Sequence, residues 1–238
     1  SMGNSQGPRR YWHWDWRLML FSGLFLPLLL GLGVWQLQRA EFKQQEQGQW
    51  QQQASELTWP QLVKPGLSAG RPVRLSGSYS DTTWLLDNRT RDGMAGYEVL
   101  TVFYPLQGPA LVVNRGWVIA PRTRQQLPET SVTQEPVDIS GRLAEFPQPP
   151  VLAAVQAGSG WPRRVQSLPP EVAQDVVPEV PGLILRLADQ HQPGALRADW
   201  APDRMAAATH TGYATQWFAL ALMLTILTIV ASYRKAAD

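Results

Sequence analysis

Histidine is the side chain best suited to ligation and proton transfer near neutral pH. This chain has three, His13, His191 and His210, and no cysteine. Disulfides, thiolate nucleophiles and thiolate metal sites are therefore excluded. His13 lies in YWHWDWR (residues 11–17), where an imidazole among indoles reads as a passenger at a membrane interface. His191 precedes Gln192-Pro193-Gly194 and reads as a turn residue. His210 differs, because it stands just ahead of a long apolar run in THTGYATQWF. On a helix, His210, Tyr213, Ala214 and Trp217 fall at i, i+3, i+4 and i+7 and share one stripe. That stripe offers a neutral nitrogen ligand, two flat aromatic walls and a small residue between them. The same three residue types also settle at a membrane–water boundary with no ligand present.

The rest of the chain is poor in catalytic motifs. It has no Walker-type phosphate loop and no HExxH. Ser159 in AGSGW lacks the Gly-x-Ser-x-Gly spacing of a nucleophile elbow and reads as loop. No serine–lysine or carboxylate pair is evident from spacing. Two Asn-Arg pairs stand out instead. LLDNRTRDGMAGYEVLT (85–101) sets Asn88, Arg89, Gly93, Gly96 and Tyr97 around a hairpin, and LVVNRGWV (111–118) continues Asn114-Arg115 with Gly116 and Trp117. On a regular strand, Arg115 and Trp117 share one face, with Asn114 and Gly116 on the other. The structural reading is that asparagine forms a turn and glycine makes room for an indole.

The elements that position these residues follow from hydropathy and charge. Leu18 to Gln38 and Tyr213 to Tyr233 each run for 21 residues without a charge. At about 1.5 Å per residue, either helix spans roughly 30 Å, the thickness of a bilayer core. Pro27, Gly23, Gly31 and Gly33 in the first run are tolerated in membrane helices. The first run is longer than a signal-peptide core and ends in Trp35-Gln-Leu-Gln-Arg39, so an anchor is expected rather than a cleaved leader. Between Arg39 and Thr211 the chain carries 16 basic and 17 acidic residues, while the outer segments carry 5 basic and 2 acidic. The basic excess thus flanks the apolar runs and reads as a topology signal; no nucleic-acid surface is expected. Arg9, Arg10 and Arg17 before the first span and Arg234 and Lys235 after the second place both termini in the cytoplasm. The absence of an Arg/Ser-rich segment before the first span points to a bacterial inner membrane.

Between the spans, EFKQQEQGQWQQQASEL permits a few further helical turns. Short β-type runs follow at 72–80, 83–89, 96–106, 110–119, 136–146, 163–168 and 182–188, bounded by Gly, Pro, Asp and Asn. Pro170 can open one short helix and Pro178 would close it. The expected fold is an α+β membrane protein, with two transmembrane helices flanking a mainly antiparallel β-barrel or sandwich domain. The expected boundaries are a cytoplasmic tail at 1–17, spans at 18–38 and 213–233, a periplasmic domain at 39–212 and a second tail at 234–238.

WQLQR, LDNRTRDGMAGYEVLT, LVVNRGWV and HTGYATQWF, in this order, resemble the surfeit-locus-one family, the assembly factors of haem a-containing cytochrome c oxidase. The resemblance runs from about Gly31 to Tyr233. Phe42 stands where the family often has tryptophan, and Thr211-Gly212 replaces a more usual apolar residue. The resemblance implies a non-enzymatic role, insertion of haem a into oxidase subunit I, with haem a held at least transiently by the histidine matching His210. Oxidase subunit I, other oxidase assembly factors and membrane lipid are the implied partners. On that reading His210 supplies the axial nitrogen, Tyr213, Ala214 and Trp217 line the ring, and Trp35 and Arg39, at i and i+4 on the first span, face them. Arg39 would meet a propionate. Two other readings stay open: a scaffold that holds oxidase subunits without haem, and a membrane-anchored periplasmic hydrolase.

Overall fold

The structure is a computed structural model that describes residues 10–54, 57–151, 158–200 and 207–235. The chain divides into two compact units, Ser1–Glu46 with Pro202–Asp238, and Gln47–Ala201.

The first unit is a helical pair. Helix α1 runs Trp16–Ala54 and α4 runs Ala207–Ser232. Both are long and apolar enough to cross a membrane, which fits a two-pass membrane protein. Helix α1 continues well past residue 38, because its Glu, Lys and Gln are good helix formers. Strand β1 (Arg10–Trp12) pairs antiparallel with β8 (Tyr233–Lys235), and His13 N–H donates to the Ser232 carbonyl at 2.8 Å. The near ends of the two helices are thereby tied together.

Small and polar residues form the seam. Ser22, Gly33 and Ala40 are buried on α1; His210, Ala214, Ala221 and Ser232 are buried on α4. Ser22 and Thr228 share a hydroxyl–hydroxyl hydrogen bond of 2.6 Å. A Cβ on Gly33 would stand 2.6 Å from the Phe218 ring, so only glycine lets the ring seat there. Lipid supplies no hydrophobic drive between helices; close approach at small residues and such polar pairs supply the attraction.

The second unit holds the last turns of α1, helix α2 (Trp59–Val63), strands β2 (Pro72–Arg91), β3 (Met94–Pro105), β4 (Leu111–Ile119), β5 (Val137–Glu145) and β6 (Arg163–Val165), helix α3 (Pro170–Val176) and strand β7 (Leu183–Leu187). The two runs expected at 72–80 and 83–89 are one continuous 20-residue strand, β2. Its register against β3 shifts between Tyr79 and Thr83 and again between Leu86 and Arg89. Its first part, Pro72–Gly77, pairs with β5 and its later part with β3. The ladder continues from β3 to β4, from β4 to β7 and from β7 to β5, so the pairings return to β2. The sheet is mixed: β4–β7 and β2–β6 are parallel, and the other four pairings are antiparallel. The unit is thus mainly antiparallel, as expected, with two parallel pairings that the short strands β6 and β7 add.

All five strands of this circuit feed one apolar cluster, including Val73, Leu75, Tyr79, Phe103, Leu111, Val113, Ile139, Leu143, Leu185 and Leu187. The alternate residues, among them Trp84, Leu86, Leu100, Val102, Val112 and Ile184, pack in a second cluster with Ala173, Val177 and Val180 around α3. Strand β4 is therefore buried on both faces, which explains its unbroken apolar run. Helix α3 starts at Pro170, where a missing N–H costs nothing, and ends before Pro178, as the sequence predicts.

Candidate functional site

The site starts from one buried imidazole. His210 is only 6% exposed on a helix whose neighbouring residues are largely exposed. Ala214, one turn on, is also buried in the seam, whereas Tyr213 is half exposed and Trp217 partly exposed. Across the seam, α1 presents Gly33, Gln36 and Ala40, at a helical spacing of three and four. Trp35 lies about 100° round the helix from Gln36 and is half exposed. Arg39 is partly buried, with its guanidinium carbon 5.8 Å from the Phe42 ring centre. The structure thus brings His210 and Ala214 together, but the residue facing the imidazole is Gln36, not Trp35 or Arg39.

The His210 Nδ1 atom lies 2.7 Å from Gln36 Oε1. The Nε2 atom is buried with no hydrogen-bond partner among the described residues. A buried polar atom left unpaired costs about 1–3 kcal/mol and calls for an explanation. A neutral imidazole nitrogen of this kind suits an iron or other transition-metal ion. Among the described residues no group of three His, Cys, Asp or Glu side chains could hold a metal ion. Gln36 was not singled out from sequence. The signal was there: an amide inside an uncharged apolar run is expensive in lipid and usually faces a partner or a pathway.

His191 is exposed at a turn where its N–H donates to Asp189 Oδ1 at 2.8 Å. His13 is exposed beside Trp14, Asp15 and Trp16. Ser159 is exposed in the loop before β6.

The two Asn-Arg motifs build a polar network within the second unit. Arg89 Nε lies 2.6 Å from Glu98 Oε2, and Asn114 Nδ2 donates to Glu98 Oε1 at 3.0 Å. Asn114 Oδ1 accepts the Gly116 N–H at 3.1 Å, and Trp117 Nε1 donates to the Arg89 carbonyl at 2.9 Å. Gly116 has φ +118° and a Cβ there would meet the Arg197 carbonyl at 2.6 Å. Between the pairs Glu98–Trp117 and Leu100–Asn114 the register slips by one residue. This bulge breaks the alternation expected for Arg115 and Trp117. Arg115 turns into the core, where it donates to the carbonyls of Gly194 at 2.7 Å and Thr130 at 2.8 Å. Burial lowers the Arg115 pKa. Burial also pushes the neighbouring Tyr79 phenol up to about 12, against the opposing pull of the Arg115 charge. Asp87 is buried and held by Arg124 Nη2 at 2.6 Å; hydrogen bonding to Asp87 raises the Arg124 pKa. Every named member of this network has a partner within the fold, so it reads as architecture around a hairpin.

The SURF1 family model matches residues 23–222 of the chain. The chain belongs to the SURF1 family. That match covers the whole strand-built unit, most of α1 with Gln36, and α4 through His210 as far as Leu222. The SURF1 family is linked to cytochrome c oxidase assembly. No curated protein matches the chain.

Proposed function

We propose that this SURF1-family chain is a bacterial inner-membrane assembly factor for haem a-containing cytochrome c oxidase, assisting the insertion of haem a into subunit I. Both termini lie in the cytoplasm and the strand-built unit lies in the periplasm. The observation that carries the haem reading is the buried His210 Nε2 without a partner among the described residues. Its donor chemistry fits an axial position on haem iron. Haem would bring four nitrogens of its own to the iron, so the site would need no cluster of protein ligands, and among the described residues there is none of three or more. Ala214 is the small residue beside the imidazole, Trp35 is aromatic surface next to Gln36 on α1, and Tyr213 and Trp217 lie about one and two turns from His210 along α4. Arg39 is the cation available to a propionate. Oxidase subunit I and other oxidase assembly factors are the partners, and the role is that of a chaperone without catalysis.

Complementation of a deletion strain in a haem a-producing bacterium tests this reading. The wild-type chain and His191→Ala should restore the oxidase and co-purify with a haem a absorption band. His210→Ala should lose the band and most of the restored oxidase. Normal oxidase in the deletion strain would overturn the assembly role. Restored oxidase with no haem band in any variant would leave a scaffold that binds subunits without haem.

A further inference from the structure

The Gln36–His210 contact decides which imidazole nitrogen is available. The Gln36 amide oxygen can only accept, so with Oε1 turned to the ring at 2.7 Å the contact is a hydrogen bond when His210 Nδ1 carries the hydrogen; the other tautomer would need the amide turned to present its NH2 group. In the neutral ring the other nitrogen, Nε2, then holds the lone pair. That is the atom buried without a partner among the described residues. Gln36 is itself held in the seam: it sits between Gly33, closed against Phe218, and Ala40, buried on the same face. We propose that Gln36 is a positioning residue that fixes His210 in its Nδ1–H form and so presents Nε2 as the ligating atom. The ligand's identity rests on the haem reading above; the tautomer does not.

Two consequences follow from this contact. A hydrogen bond at Nδ1 orients the ring about its Cβ–Cγ bond, so the lone pair keeps a fixed direction. It also leaves more electron density at Nε2, since the amide oxygen draws the Nδ1 proton. A more electron-rich nitrogen would favour the oxidised form of an iron held there, so the strength of this one hydrogen bond would tune that iron's potential. An amide does this mildly and without adding charge to the membrane seam, which a carboxylate would add.

The test reads the tautomer directly in the haem-free full-length protein. With only three histidines, 15N-histidine labelling gives few resonances, and His210→Ala assigns the one that matters. Wild type should show a protonated Nδ1 and a bare Nε2 at His210. Gln36→Glu keeps an acceptor and should keep this form. Gln36→Leu removes the acceptor, should fold readily in an apolar span, and should shift the resonance toward a protonated Nε2. A protonated Nε2 in wild type, or an unchanged tautomer in Gln36→Leu, would overturn the proposal. In haem-loaded protein, the reduction potential should rise in Gln36→Leu and fall in Gln36→Glu relative to wild type. Equal potentials in all three would remove the electronic part of the role. A wild type that shows the Nδ1–H form but takes up no haem would sink the haem reading and leave the tautomer assignment standing.

Discussion

Arg115 and Tyr79 show how a charge is held inside the strand circuit. Both are almost fully buried, with the guanidinium carbon 5.7 Å from the Tyr79 ring centre. Tyr79 also packs edge-on to Phe103 and donates its hydroxyl to the Pro193 carbonyl at 2.9 Å. The fold thus needs the neutral phenol. With the ordinary value at 10.0 and the folded value about 12, the stabilisation is complete below pH 10 and is lost as pH rises through 12. Tyr79→Phe should cost about 1 kcal/mol at pH 7, from the lost hydrogen bond. It should also remove the alkaline limb, so that wild type loses its lead over the variant between pH 10 and 12 and then falls below it in chemical denaturation followed by tryptophan fluorescence. An alkaline limb of unchanged size in Tyr79→Phe would show that another group governs it. The same residues mark what a sequence can carry at this scale. Strand alternation assigns Arg115 and Trp117 to one face, but the bulge at Gly116 arises from a close approach of Arg197, 81 positions away in the chain, and no local pattern records it. Gln36 was legible as an amide in an apolar run; its partner was not, because the rotation of α1 about its own axis depends on which small residues meet α4.

Strands and helices were easier to read than their neighbours. The limits of β3, β4, β5 and β7 follow from β-type runs ended by Gly, Pro and polar clusters, and α3 from two prolines. The fusion of 72–80 with 83–89 into β2 was hidden by Asp81 and Thr82, the polar gap between the two runs. In the fold they lie where the register against β3 shifts, and one strand thereby serves both β5 and β3. The parallel β4–β7 pairing was equally hidden, since pairing direction depends on where a long connection delivers the strand. That circuit has tight crossings at Gly77, Gly96 and Gly141, where a neighbouring strand's backbone leaves no room for a side chain. A Cβ on Gly141 would stand close to the Arg186 carbonyl oxygen, a backbone atom that cannot swing aside, where β5 pairs with β7. Overpacking of this kind typically costs about 1–3 kcal/mol. Gly141→Ala should therefore lower the melting temperature of the strand-built unit. Gly182→Ala, with open space around the same atom, should leave it within about 0.5 kcal/mol of wild type. Equal melting of the two variants would contradict the register of β5 against β7.

At the scale of the whole chain, two apolar helices near the ends enclose in sequence a unit of nearly balanced charge. With both helices crossing a bilayer, the residues just before α1 and just after α4 would share one side of it. The β1–β8 pairing is consistent with that, since it joins residues just before α1 to residues just after α4. Which side depends on the basic residues at 9, 10, 17, 234 and 235 against those that follow the first span at 39 and 43, a bias of the kind that retains positive flanks in the cytoplasm. The chain has no cysteine, so a single introduced thiol reports its own side without background. Gln126→Cys falls on an exposed turn of the strand-built unit and Trp14→Cys on the exposed segment ahead of α1. With a membrane-impermeant maleimide, Gln126→Cys should label in intact spheroplasts and Trp14→Cys only after permeabilisation. The reverse pattern would invert the topology and place the His210 end of α4 at the cytoplasmic face.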